Sequence, residues 1–284
     1  MTRLREVSTT PRLLVVGLFV CGAGEVACHK TSPGVVVAEP APVVVTRPAG
    51  PPPITTGTML IDAMHARYSG HWYRTLTFTQ KTTISLASGG ELNQSWHESI
   101  ALPGKLRLDT DLAAKSGILY LGDSVFSFVN GKLVRADTGH NETFILANDV
   151  YARPPERTEA VLRDMGFDLS KLHHTRWEGR EVYVVGALAG DTTSKQFWVE
   201  RERLLFVRMI GRTPQGRSDF RLRQFMPAGG GWIAVEMEQY VNGKRRLRQE
   251  SLEMRPDVTL PPSLFDPAAW AVTPTHWARK GKGD

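Results

Sequence analysis

From Trp72 to Leu86 the chain alternates with period two: Leu76, Phe78, Ile84 and Leu86 fall on one side, Thr75, Thr77, Thr79, Thr83 and Ser85 on the other. Successive side chains of an extended chain point to opposite faces, so alternation of this length marks a half-buried strand. It commits the fold to a sheet with a dry and a wet face, and the rest of the chain continues the pattern. Ser88-Gly89-Gly90-Glu91 is a turn, Leu92 to Ile100 returns with Trp96 and Ile100 on one face, and Pro103-Gly104 turns the chain into KLRLDTD. ILYLGDSVFSFVNGKLVRAD reads as three strands and two turns, the Asn130-Gly131 pair supplying the positive φ of a tight hairpin. REVYVVGALAG, KQFWVERERLLFVRMIG, RSDFRLRQF and GWIAVEMEQYVNGKRRLRQESLEM are strand-like as well. Turn signals recurring roughly every 8–12 residues predict a mainly β fold with a few helices, not a βαβ design. The expectation is a half-open antiparallel β-barrel, a strongly curved sheet of about ten strands, covered by short helices.

Two helices interrupt the strands. TMLIDAMHARY at 58–68 sets Leu60, Ala63, Met64 and Arg67 or Tyr68 at helical spacing, and at 155–165 Pro155 suits a first turn while Gly166 supplies a stop. The last hairpin depends on its loop. Two residues, Asn242-Gly243, would set Glu238 opposite Leu247; a third, Lys244, would set it opposite Arg248, the better electrostatic pair. Leu247 and Leu252 differ in parity, so both face the core only if a bulge separates them.

The first residues form an export signal: Arg3, Arg5 and Arg12 precede the apolar run LLVVGLFVCGA at 13–23. A membrane span needs roughly 20 apolar residues, and Glu25, His29 and Lys30 end this run first. Residues 1–27 are read as a signal peptide, 28–56 as a proline-rich tether and 57–284 as one domain. The segment before Cys28 resembles a lipobox with Glu25 at the usual leucine position, making Cys28 the candidate lipidated residue; the alternative is an ordinary cleaved signal. Both cysteines, Cys21 and Cys28, lie in or beside the leader, which leaves the domain without an internal disulfide. Seven prolines between Thr31 and Thr56 favour a semi-extended tether. The net charge of +6 is spread among acidic residues rather than gathered with stacking aromatics, which argues against nucleic acid.

Catalytic constellations are weak. Gly122-Asp123-Ser124 after an apolar strand resembles the nucleophile block of GDSL-type esterases, but it lies mid-chain and lacks that family's later Asp-x-x-His, so a hairpin turn explains it. Glu236 and Glu238 share a strand face as paired carboxylates do in glycosidases, yet Arg245, Arg246 and Arg248 across the turn make an ion-paired face the simpler reading. No two of the eight histidines have the i, i+4 spacing of a helical zinc site, so no metal is expected. Lys244-Arg245-Arg246 with Arg248 is a dense basic run suited to anionic lipid or to guarding an edge strand.

The apolar inventory is more informative. Leu76, Phe78, Ile84, Trp96, Ile100, Leu106, Leu108, Phe126 and Phe128 would share the concave side of a curved meander, as a ligand-cavity lining or simply as core. LTFTQ at 76–80, LPGKLRLD at 102–109, YLGDSVFSFVNGK at 120–132 and LPPSLFDP at 260–267, in this order behind a leader and a short helix, resemble the LolA/LolB-like periplasmic lipoprotein-carrier superfamily, its sigma-factor-regulator relatives included. The resemblance implies a half-open barrel with a helical lid that binds or transfers lipid or lipoprotein acyl chains, with no cofactor and no turnover. It also implies a lid-latching arginine, for which Arg74 and Arg107 both remain open. The expected setting is the periplasm, with possible anchorage to the outer membrane through Cys28 and an envelope protein as a further partner. The rival readings are a tethered envelope-sensing interaction module of the same fold and an esterase using Ser124.

Overall fold

The computed structural model describes residues 53–273; the signal peptide, Cys28 and nearly all of the tether lie outside the described residues. The strands are β1 (Thr75–Ser85), β2 (Glu91–Ala101), β3 (Lys105–Asp111), β4 (Ser116–Leu121), β5 (Ser124–Val129) and β6 (Lys132–Thr138). After the helical segment come β7 (Leu172–Trp177), β8 (Arg180–Val185), β9 (Gln196–Glu200), β10 (Leu205–Thr213), β11 (Gly216–Ala228), β12 (Gly231–Val241) and β13 (Lys244–Pro256). They form one thirteen-stranded sheet in the order β6-β5-β4-β3-β2-β1-β13-β12-β11-β10-β9-β8-β7. Every neighbouring pair is antiparallel. Two meanders are therefore joined where β1 meets β13, and β6 and β7 remain as unpaired edges: the sheet is curved and unclosed.

The strand number exceeds the sequence expectation for identifiable reasons. KQFWVERERLLFVRMIG holds both β9 and β10, and the turn between them contains no glycine or proline; Leu204 itself takes the positive φ, 55°. β7, LHHTRW, alternates too weakly in hydropathy to announce itself.

Helix α1 (Gly57–Tyr68) starts where Thr56 Oγ1 accepts from the backbone N–H of Met59 at 3.2 Å and buries Leu60, Ile61 and Met64. The link from β6 to β7 runs from one sheet edge to the other and carries α2 (Glu142–Ala147), a 3-10 turn (Asp149–Tyr151) and α3 (Pro155–Asp164). Helix α2 goes beyond the two helices expected from sequence, because six residues carry too little periodicity; its signal is the cap, Asn141 Oδ1 accepting from Phe144 N–H at 2.9 Å.

At the last hairpin Glu238 does face Arg248, but by a different route. The loop is the two-residue Asn242-Gly243, with Val241 opposite Lys244, and a bulge between Gln239 and Tyr240 shifts the register beyond it. No such shift separates Leu247 from Leu252, and Leu252 is accordingly exposed. The basic run at 244–248 opens a strand held between β1 and β12, so guarding an edge is not its role.

The sheet has cores on both faces. On the concave side α1, the 3-10 turn and α3 seal one end around Leu60, Met64, Tyr151 and Leu162. On the convex side the segment 260–273 straps Leu264, Phe265 and Trp270 over Leu119 and Phe128, with Trp270 stacked on Phe128 at 4.2 Å. A Cβ at Gly117 would lie 2.1 Å from the Leu108 carbonyl oxygen and 3.0 Å from the Trp270 ring, so glycine is what fits beneath the strap.

Candidate functional site

The concave sheet and its helical cover leave a cavity of about 860 Å³ unfilled. One wall comes from the first meander, with Leu76 and Phe78 on β1, Trp96 and Ile100 on β2, and Leu106 and Leu108 on β3. The facing wall comes from the second, including Phe206, Leu222, Ile233 and Met237, and the cover contributes Phe144, Ala147 and Tyr151. A volume within the roughly 300–1,000 Å³ range of small-molecule sites, apolar with few polar groups, is suited to an apolar ligand.

Six of the nine residues expected to share the concave side line this cavity. Ile84 lies opposite Leu247, a lining residue, but beyond the lined stretch. Phe126 and Phe128 are on the other face: Tyr120 lines the cavity and pairs with Val125, which turns Phe126 and Phe128 outward onto the core beneath the C-terminal strap. Size and apolarity group these phenylalanines with the lining residues in the sequence, whereas the pairing register decides which parity points inward.

Polar groups cluster where β1 meets β13. Gln249 Nε2 donates to Gln80 Oε1 at 2.8 Å and to Thr82 Oγ1 at 3.2 Å, and Ser251 lines the cavity beside them. At the mouth stand His140, Glu142, Lys195 and Arg212. Lys195 Nζ is paired with the Glu142 carboxylate, donates to Met165 O at 2.6 Å and lies 4.7 Å from the centre of the Phe167 ring, so one side chain just before β9 ties both ends of the helical cover.

Neither arginine considered for the latch is near this mouth. Arg74 is exposed, and Arg107 is buried on the convex face, where it forms a bidentate pair with Asp109 (3.0 Å for both Nε to Oδ2 and Nη2 to Oδ1) under the Trp270 ring, 3.9 Å away. Burial pushes the Asp109 carboxyl above its ordinary value in spite of that partner.

The most unusual lining group is Glu98. It lines the cavity partly exposed, between apolar neighbours, and burial pushes its pKa up to about 8. Sequence parity could have found it, because Glu98 lies between Trp96 and Ile100 at an inward position.

The esterase and carboxylate-pair motifs lie elsewhere. Ser124 opens β5 outside the cavity lining, and although His140 Nδ1 is 3.7 Å from Asp123 Oδ1, no hydrogen bond joins Ser124 to His140 among the described residues. Glu236 and Glu238 face outward into an arginine network: Arg248 Nη2 lies 3.1 Å from Glu236, Arg245 Nη1 lies 3.4 Å from Glu238, and Arg223 pairs with Glu238 as well. Among the described residues no three metal-ligating side chains come together, and no helix is long and apolar enough to cross a membrane.

No protein-family model matches the sequence, and no curated protein matches it either. Solved structures do. A domain assigned to outer membrane lipoprotein sorting from Vibrio parahaemolyticus superposes with a TM-score of 0.52 at 11% identity, covering 76% of this chain and 98% of that one. A DUF1329 family protein from Desulfovibrio piger gives 0.50 at 13% identity, covering 75% and 97%. A LolA superfamily protein from Nitrosomonas europaea gives 0.49 at 13% identity, covering 72% and 96%. The chain shares the fold of the lipoprotein-sorting domain and of the DUF1329 family protein.

Proposed function

We propose that the protein binds or transfers an apolar ligand, a lipid or the acyl chains of a lipoprotein, in the concave cavity, without chemical turnover. The observation that carries this reading is the unfilled space of about 860 Å³ between two apolar sheet walls and a short helical cover. A sheet that needed only a core would have filled it, since protein interiors close-pack and every unfilled volume forfeits dispersion contacts. The fold likeness to a lipoprotein-sorting domain supports the same choice. In this reading the leader exports the chain to the periplasm and Cys28, if acylated, anchors it to the outer membrane, with the tether giving reach; an envelope protein would then deliver or receive the ligand.

The test is titration of the delipidated full chain with an acyl-chain fluorophore. Saturable binding at one site is expected, weakened at least tenfold by Ala234→Trp, which puts an indole into the void from the β12 wall. Absence of saturable binding in the parent would remove the carrier reading and leave the interaction-module alternative. Ester hydrolysis abolished by Ser124→Ala would overturn binding without turnover.

A further inference from the structure

The cavity leaves polar groups unserved, Gln80 Nε2 and the carboxyl of Glu98 among them. Glu98 projects from β2 with Phe78 directly opposite on β1 and Leu108 opposite on β3, both apolar. Among the described residues no hydrogen bond or ion pair reaches its carboxyl. Tyr73 and Tyr120 are near enough to feel its charge, but the Tyr73 hydroxyl gives its proton to Asn148 Oδ1 at 2.5 Å. The remaining inward groups of the neighbouring strands are uncharged: Leu76 and Gln80 on β1, Leu106 on β3, Gln249 and Ser251 on β13. Of the charged or titratable groups at the mouth, Lys195 is committed to Glu142, Arg212 is exposed, and neither they nor His140 offsets the burial of Glu98.

An unpaired acid in such surroundings keeps its proton, and a protonated carboxyl offers one O–H donor beside its acceptor oxygen. A plain hydrocarbon in the cavity would leave that donor unsatisfied. A fatty-acid anion would bring a second carboxylate to a place with no cation. A carbonyl on an otherwise apolar chain meets the donor and brings no charge.

We propose that the cavity selects an acyl chain carrying an uncharged ester or amide linkage, with Glu98 meeting the linkage carbonyl, over the free fatty-acid anion. The inference rests on the acyl-binding reading above and adds its specificity. The apolar walls hold the chain, and Glu98 reads the point where the chain is joined to the rest of the molecule.

The experiment titrates the full chain with pyrene-labelled probes of equal chain length: an alkane, a methyl ester, a methylamide and the free acid. At about pH 6 the ester and amide should bind about tenfold tighter than the alkane and tighter than the acid, a hydrogen bond's worth of preference. The balance between the ester and amide arms tells a glycerolipid-like source from an N-acyl one. At about pH 9.5 Glu98 is ionised and the ester preference should vanish, while the amide N–H can still donate to the carboxylate. Glu98→Gln, isosteric and still a donor, should keep the preference at both pH values, and Glu98→Leu should lack it at both. Equal binding of alkane and ester by the parent, tighter binding of the free acid, or a preference that survives Glu98→Leu would overturn the proposal while leaving the carrier reading intact. No saturable binding of any probe would overturn both.

Discussion

Glu98 couples the cavity to stability at the level of a single proton. Its pKa in the folded protein, about 8, lies above the ordinary 4.5, so between these values the native state holds a proton that the unfolded chain has released. Stability from this group is therefore fully present below about pH 4.5 and is lost as pH rises toward about 8. Glu98→Gln removes the titration. The variant should match the parent in urea unfolding below about pH 4.5 and exceed it by on the order of 3 kcal/mol near pH 9, since each pH unit between the two values is worth at most about 1.4 kcal/mol and water entering the cavity screens part of it; a gap that does not depend on pH would contradict the assignment. Asp219 acts in the opposite sense. Burial works against its ionisation, but Arg208 and Arg221, at 2.7 and 2.8 Å, hold it below its ordinary value, so what it contributes is lost in acid. Residue-scale legibility is uneven in the same way. Leu76, Phe78 and Trp96 can be placed on the inner face from alternation alone, whereas Phe126 and Phe128 cannot, because the strap that gives them an outer core lies over a hundred residues away in sequence.

Among the elements, the longer strands, such as β1, β12 and β13, and the two longer helices are readable because periodicity over eight or more residues outweighs local noise. The second wall of the cavity is readable as strands but not as wall, since β10 to β12 face β1 to β3 only through the single β1–β13 pairing that unites the two meanders. Helix α2 leaves almost no trace in the sequence, yet it closes the cavity. It buries Phe144, Ile145 and Leu146 in the concave core, and a polar tie runs through Lys195, whose Nζ reaches both Glu142 and Met165 O. Lys195→Met should therefore speed amide hydrogen exchange across 142–151 about tenfold while leaving β1, β2 and β13 unchanged, the behaviour of a locally opening unit on a stable scaffold. Unchanged exchange in the cover would show that α2 is held by its apolar contacts alone.

At the scale of the whole molecule, one unclosed sheet uses its two faces differently. The convex side is filled, by a buried arginine pair, a stacked tryptophan and an outward network of arginines on carboxylates. The concave side is sealed at one end by α1, α3 and the 3-10 turn and left open in the middle, with an apolar lining, a strip of amides and one unserved acid. That asymmetry is the structural basis of the proposed function, and it locates the ligand. The most direct measurement is photocrosslinking of the full chain with an acyl ester bearing a photoactivatable group along its chain, followed by mass-spectrometric mapping. Acyl binding in the cavity predicts insertion at residues from both walls, Phe78 and Ile100 on one and Met209 and Met237 on the other; insertion confined to exposed apolar residues such as Leu133 and Val134 on the β6 edge would contradict it.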